Sequence, residues 1–111
     1  MICSEFRSRV EPEPSQPKDE HTKDGEGDVV AQTQYVLEKI QLAIEQAGGT
    51  LSDVVRTRIY VTDREYMMDV AQVHGKFFGT IRPASTGVEV GALVDDRLLV
   101  EIEASAIVSS D

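Results

Sequence analysis

The chain has 111 residues, 41% hydrophobic and 5% aromatic, with 11 basic against 20 acidic side chains for a net charge of -9. That length suits one small domain, and the acidic balance has the wrong sign for a phosphate backbone or an anionic membrane, because no basic field exists to release counterions. The lone cysteine, Cys3, can make no internal disulfide and fits a reducing cytoplasm.

No apolar run approaches the roughly 20 residues that span a bilayer. No apolar stretch follows Arg7 and Arg9, so no secretory signal is expected. Residues 1–28 hold three of the four prolines and a dense mix of charges. Each proline removes a donor and restricts its predecessor, and this composition buries too little to offset ordering entropy. The expectation is a poorly ordered or atypical arm over 1–28, with a folded domain over 29–111.

From Val29 the pattern takes a helical period. Val30, Thr33, Leu37, Ile40, Ile44 and Ala47 form one apolar stripe, with Asp28 as N-cap and Gly48-Gly49 as the stop. Tyr35 and Leu42 fall outside it, either partly exposed or facing another subunit. A β-branched strand follows over 53–62. It places Val55, Thr57, Ile59 and Val61 on one face and Arg56, Arg58 and Tyr60 on the other. Two arginines there are more often solvated or paired with a neighbouring strand's carboxylates than bound to a substrate anion.

Thr62 and Glu65 have capping-box spacing. The helix they open carries Tyr66, Val70, Val73, Phe77 and Ile81 on one face and ends at Gly79 and Arg82-Pro83. His74 borders the buried stripe, where a lone histidine is more often packed than a ligand. His21 has no second ligand group near it in sequence, so neither a metal nor another cofactor is expected. The last third reads as a hairpin, with Thr86 to Leu93 turning over Val94-Asp95-Asp96-Arg97 into Leu98 to Val108. Glu101 and Glu103, two residues apart, share one strand face. The order helix, strand, helix, strand, strand predicts an α+β layer: a small mixed sheet covered on one face by two helices. Val88, Val90, Leu99, Val100 and Ile102 are too many apolar residues for one buried side, which predicts an oligomer.

From about Asp28 to Val108 the chain resembles the RidA/YjgF family, the reactive-intermediate deaminases once labelled endoribonucleases or translation inhibitors. The matching segments are Gln41 to Gly49, Leu51 to Thr57 and Tyr60-Val61-Thr62-Asp63. Phe77-Phe78, Pro83-Ala84, Val88-Glu89-Val90, Leu93 and Val100-Glu101-Ile102-Glu103-Ala104 continue the match. The resemblance implies a chorismate-mutase-like fold and a homotrimer whose three sheets form an inner barrel, with a small-molecule pocket in each cleft between subunits. Active members hydrolyse enamines and imines, such as 2-aminoacrylate and 2-iminobutanoate, to keto acids and ammonia.

In that family an arginine just after Pro-Ala pairs with the substrate carboxylate, and a carboxylate on the last strand positions water. Glu101 matches the carboxylate. Ser85 stands where the arginine would be, and Ala71 where an asparagine is often found. The family's N-terminal strands have no counterpart in the pattern of residues 1–28. The resemblance therefore implies a cytoplasmic trimer with Glu101 as its water- or ligand-positioning carboxylate. Ser85 and Thr86 are then expected as hydrogen-bond donors at the cleft, with Arg82 as a weaker cationic candidate. The alternative is a trimer that binds small molecules without turning them over. The older ribonuclease label finds no basic patch, stacking platform or histidine pair to support it.

Overall fold

The computed structural model of the chain describes residues 2–8 and 27–109. Its elements are β1 (Ile2–Ser8), α1 (Val29–Gln46), β2 (Val54–Val61), α2 (Met67–Phe78), β3 (Ala84–Glu89) and β4 (Val100–Val108), with short 3-10 turns at Leu51–Asp53 and Arg64–Tyr66. The strands form one mixed sheet in the order β1-β4-β2-β3. One strand pair is parallel, β2 with β3; β4 runs antiparallel to both β1 and β2.

The α+β architecture is as the sequence predicts, but the strand pairing is not. The expected hairpin between β3 and β4 does not form. A helix separates β2 from β3, so β3 returns beside β2 in the parallel sense of a βαβ crossover. The segment 90–99 then carries the chain past β2 to its other edge, and β4 becomes a central strand. At the N-terminus, where no strand was expected, Ile2–Ser8 pairs along β4 from Ile2↔Val108 to Ser8↔Ile102. A ladder needs backbone donors and acceptors only, and no proline precedes Pro12 to remove one. The remainder of the predicted arm, 9–26, lies outside the described residues.

Helix α1 starts as expected, with Asp28 Oδ1 accepting the Ala31 N–H at 3.1 Å. It closes in a Schellman arrangement: Gly49 N–H donates to Ile44 O at 2.9 Å and Gly48 N–H to Glu45 O at 3.1 Å, with Gly48 at φ 94°. The buried stripe is Val29, Thr33, Val36, Leu37, Ile40 and Ile44, whereas Val30 and Ala47 face out. That one-residue rotation brings Gln32 inward as well. On β2 a register irregularity between Val54 and Arg56 turns Val54 into the core and leaves Val55 exposed, the reverse of the simple alternation. Thr62 does not cap the next helix, because its N–H still donates to Leu99 O; Asp63 caps the turn instead, accepting from Glu65 N–H at 2.9 Å.

The core lies between the helices and one face of the sheet. Val36, Leu37, Ile40 and Ile44 of α1 and Val70, Val73 and Phe78 of α2 meet Ile59 and Val61 of β2 and Val100, Ile102, Ala104 and Ala106 of β4. Among the described residues, no helix is long and apolar enough to cross a membrane.

Candidate functional site

Register decides which candidate residues can meet. Thr57 lies opposite both Ser85 and Ala104, and Tyr60 lies opposite both Val88 and Glu101. Partners opposite one another share a face, so Ser85 lies on the helix side of the sheet with Thr57. Thr86, opposite Arg58, lies on the open side with Glu101 and Glu103. Strand β2 stands between β3 and β4, which puts about 10 Å between their axes. A single protomer therefore aligns Thr86 and Glu101 on one face without joining them, and it holds Ser85 on the opposite face.

On the open side the central feature is Glu103, 8% exposed although no helix covers it. Tyr60 Oη donates to its Oε1 at 2.8 Å, and Arg58 Nε stands 3.7 Å from the same oxygen. Arg56 donates instead to Ser105 Oγ, at 3.1 Å. The expected pairing of strand arginines with a neighbouring strand's carboxylate thus holds for Arg58. Glu101 is half-buried beside Tyr60. Glu89 takes the opposite face, opposite Val61, where its carboxylate accepts the Arg64 N–H at 3.0 Å.

On the helix side the sequence reading missed a connected polar chain. Thr57, fully buried, has its Oγ1 2.9 Å from His74 Nε2 and 2.8 Å from Ser85 Oγ. Ser85 Oγ is also 3.3 Å from Pro83 O. His74 packs against Phe78, one turn on, with ring centroids 4.7 Å apart. Burial holds its imidazole below the usual histidine range. The signal was available only in part: Thr57 on the inward face of β2 and His74 on the rim of α2 are readable, but their link to Ser85 needs the parallel pairing.

Arg82 sits outside both clusters, exposed, in the connection after α2. It adopts φ 54°, and its N–H donates to Phe78 O at 2.9 Å. The segment leading into β4 is fixed from two sides. Arg97 donates to the Asp95 carboxylate through its backbone N–H at 2.8 Å and its guanidinium at 3.2 and 3.3 Å, which lowers the Asp95 pKa. Gln32 of α1 holds Leu99 N–H at 2.8 Å and Arg97 O at 2.9 Å. Among the described residues, no group of three or more His, Cys, Asp or Glu could hold a metal ion.

The family model described as Endoribonuclease L-PSP matches residues 13–108. A RutC family protein of Pyrococcus abyssi is 39% identical over 80 residues, which are 72% of this chain and 62% of that protein. The chain thus spans less than two thirds of that relative's length. A solved member of the YjgF family from Mycobacterium tuberculosis is 56% identical, with a TM-score of 0.72 over 73% of this chain and 69% of that one. TdcF of E. coli, solved with bound serine, is 28% identical with a TM-score of 0.69, over 74% of this chain and 66% of that one.

Proposed function

The chain belongs to the Endoribonuclease L-PSP family, that of the RidA/YjgF proteins, and on that premise we propose that it forms a trimer which binds small carbonyl, imine or enamine metabolites in a cleft between subunits. The observation that carries this reading is the separation of the candidate residues within one protomer. Ser85 and Thr86 lie on the edge strand β3 and Glu101 lies across β2 on β4, so a site using all three needs a second copy to close it. Two further features support an assembly. The helices cover one face of the sheet, and the open face carries the half-buried Glu101 and the 41% exposed Val88. TdcF, with its bound serine, gives a relative of this fold that takes a small polar molecule.

In that cleft Glu101 positions the ligand or an attacking water, Ser85 and Thr86 supply hydroxyl contacts, and Arg82 is the nearest cation to β3 in sequence. The chemistry open to such a set is hydrolysis. Glu101 as general base takes a proton from water while oxygen adds to the imine carbon, and returns it to the nitrogen. The hydroxyl proton of the resulting carbinolamine then passes to the nitrogen as the C–N bond breaks, releasing ammonia and leaving a carbonyl product. A net charge of -9 disfavours a nucleic-acid substrate. A second reading, binding without turnover, is favoured by Ser85: a neutral hydroxyl forms neither an ion pair nor a bidentate fork with a substrate carboxylate.

The deciding assay measures ammonia release from 2-iminobutanoate generated in situ. Turnover above buffer that falls at least tenfold in Glu101→Gln supports the hydrolase. A folded trimer that retains a ligand but gives no turnover supports the second reading, and a chain that neither assembles nor binds overturns both.

A further inference from the structure

His74, Thr57 and Ser85 form a hydrogen-bond chain running from the half-buried His74 through the fully buried Thr57 to the exposed edge of the sheet. Thr57 has one hydroxyl proton for two neighbours, His74 Nε2 at 2.9 Å and Ser85 Oγ at 2.8 Å. Either Thr57 donates inward to His74 and Ser85 donates to Thr57, or every bond reverses and the Ser85 proton turns outward. Three features favour the inward direction. An imidazole nitrogen is a better acceptor than a hydroxyl oxygen. The surrounding burial favours a neutral ring, which has one unprotonated nitrogen to offer. In the reversed chain the only protein acceptor left for the Ser85 proton, among the described residues, is Pro83 O at 3.3 Å. That is longer than the ordinary O–H···O range of about 2.5–3.0 Å, so no strong protein bond rewards the reversal.

We infer that His74, with its proton on Nδ1, acts through Thr57 to fix Ser85 as a hydrogen-bond acceptor, so that this part of the cleft selects a ligand bearing an N–H or O–H donor and disfavours a carboxylate. His74 is a positioning residue here, and Ser85 makes the contact. The inference rests on the reading of Ser85 as a cleft residue, and it reverses the donor role that the residue type alone would suggest. With its own proton committed inward, Ser85 turns only lone pairs outward. A carboxylate oxygen meets lone pair against lone pair; an amide, an enamine nitrogen or a hydroxyl completes the chain.

Two measurements on the full chain test it. Long-range 1H–15N correlation of the 15N-labelled protein at neutral pH reports the tautomer of His74, which is one of only two histidines and is assigned by its loss in His74→Gln. A protonated Nδ1 with an unprotonated Nε2 is expected; a proton on Nε2 overturns the inference. The tautomer itself is read in the unaltered protein, and the variant serves only to tell the two histidines apart.

The second measurement titrates 2-oxobutanamide and 2-oxobutanoate while following the backbone amides of Ser85 and Thr86. The amide should bind at least tenfold more tightly than the acid. In Thr57→Val, close in shape and lacking the hydroxyl, the preference should shrink to threefold or less. Repulsion of the acid by the net charge of -9 is common to both proteins and cancels in the comparison. His74→Phe, which frees the Thr57 proton to turn toward Ser85, gives the same outcome if Thr57→Val does not fold. An acid that binds as well as the amide, or a preference that survives both variants, overturns the inference. Shifts from neither probe overturn the cleft reading and the ligand half with it, while the tautomer still decides the direction of the chain.

Discussion

Gln32 is a buried clamp whose removal has a calculable cost. It is 4% exposed on α1, and its one side chain satisfies two backbone groups more than sixty residues away, Leu99 N–H at 2.8 Å and Arg97 O at 2.9 Å. Between those groups sits Leu98, 2% exposed, and two residues after Leu99 comes Glu101. Gln32→Leu fills the same space and withdraws both partners. Each backbone group left unsatisfied costs about 1–3 kcal/mol. These two are part-buried, so the low half of that range applies, and the added apolar burial returns about 1 kcal/mol. The net loss is about 1–3 kcal/mol, which lowers Tm by about 5–15 °C for a domain of this size. Thermal unfolding followed by circular dichroism measures it, and amide hydrogen exchange at Leu99 should accelerate. A Tm within about 3 °C of the parent would refute the claim that this clamp fixes the start of β4 and the seat of Glu101.

Tyr60→Phe removes the hydroxyl bonded to Glu103, a contact to a charged group worth about 1.5–3 kcal/mol at full burial. Tyr60 is itself only half-buried, so chemical denaturation should show a loss of about 1–2 kcal/mol. Arg82 holds a left-handed backbone at φ 54°, a conformation costly for a β-branched residue. Arg82→Val should therefore lose about 1–2 kcal/mol in urea unfolding, while Arg82→Gly is tolerated. The pH dependence of stability carries the signature of His74. Its folded pKa lies below the ordinary 6.5. As pH falls through 6.5 the unfolded chain takes up a proton that the folded chain refuses, so stability is lost from there down to the folded pKa and levels off below it. The urea midpoint of the parent minus that of His74→Gln should slope through that window and be flat above it; a flat difference throughout would show that the ring is not held neutral.

Much of the fold was legible because its signals are local. Asp28, the stripe through Leu37, Ile40 and Ile44, and the Gly48-Gly49 stop are each set within a turn or two of chain. The errors arose where a distant partner decides. The residues of β3 and β4 alternate apolar and acidic side chains with a polar turn between them, as a hairpin would. The pairing is set instead by α2, which delivers β3 alongside β2, and by the place left for β4 on the other edge. The rotation that buries Val29 instead of Val30, and the irregularity that exposes Val55, each shift a face by one residue. They come from packing that the period alone does not specify.

The candidate site divides along the same line. Glu101 and Ser85 could be named only through the family resemblance, since the alternating strand offers Glu103 as readily as Glu101. That they face opposite sides of the sheet follows from register, as does the bond from Ser85 to Thr57. The Tyr60–Glu103–Arg58 cluster was half visible: the arginines' faces were readable, but the identity of their carboxylate was not.

The proposed function requires that copies of the chain assemble and form a cleft between them. Native mass spectrometry of the whole chain, purified gently from cells, tests this most directly. A trimer carrying a bound small mass is the expected result, and it would supply the ligand for identification. A bare monomer would contradict the shared site of Ser85, Thr86 and Glu101, and with it the function proposed for it.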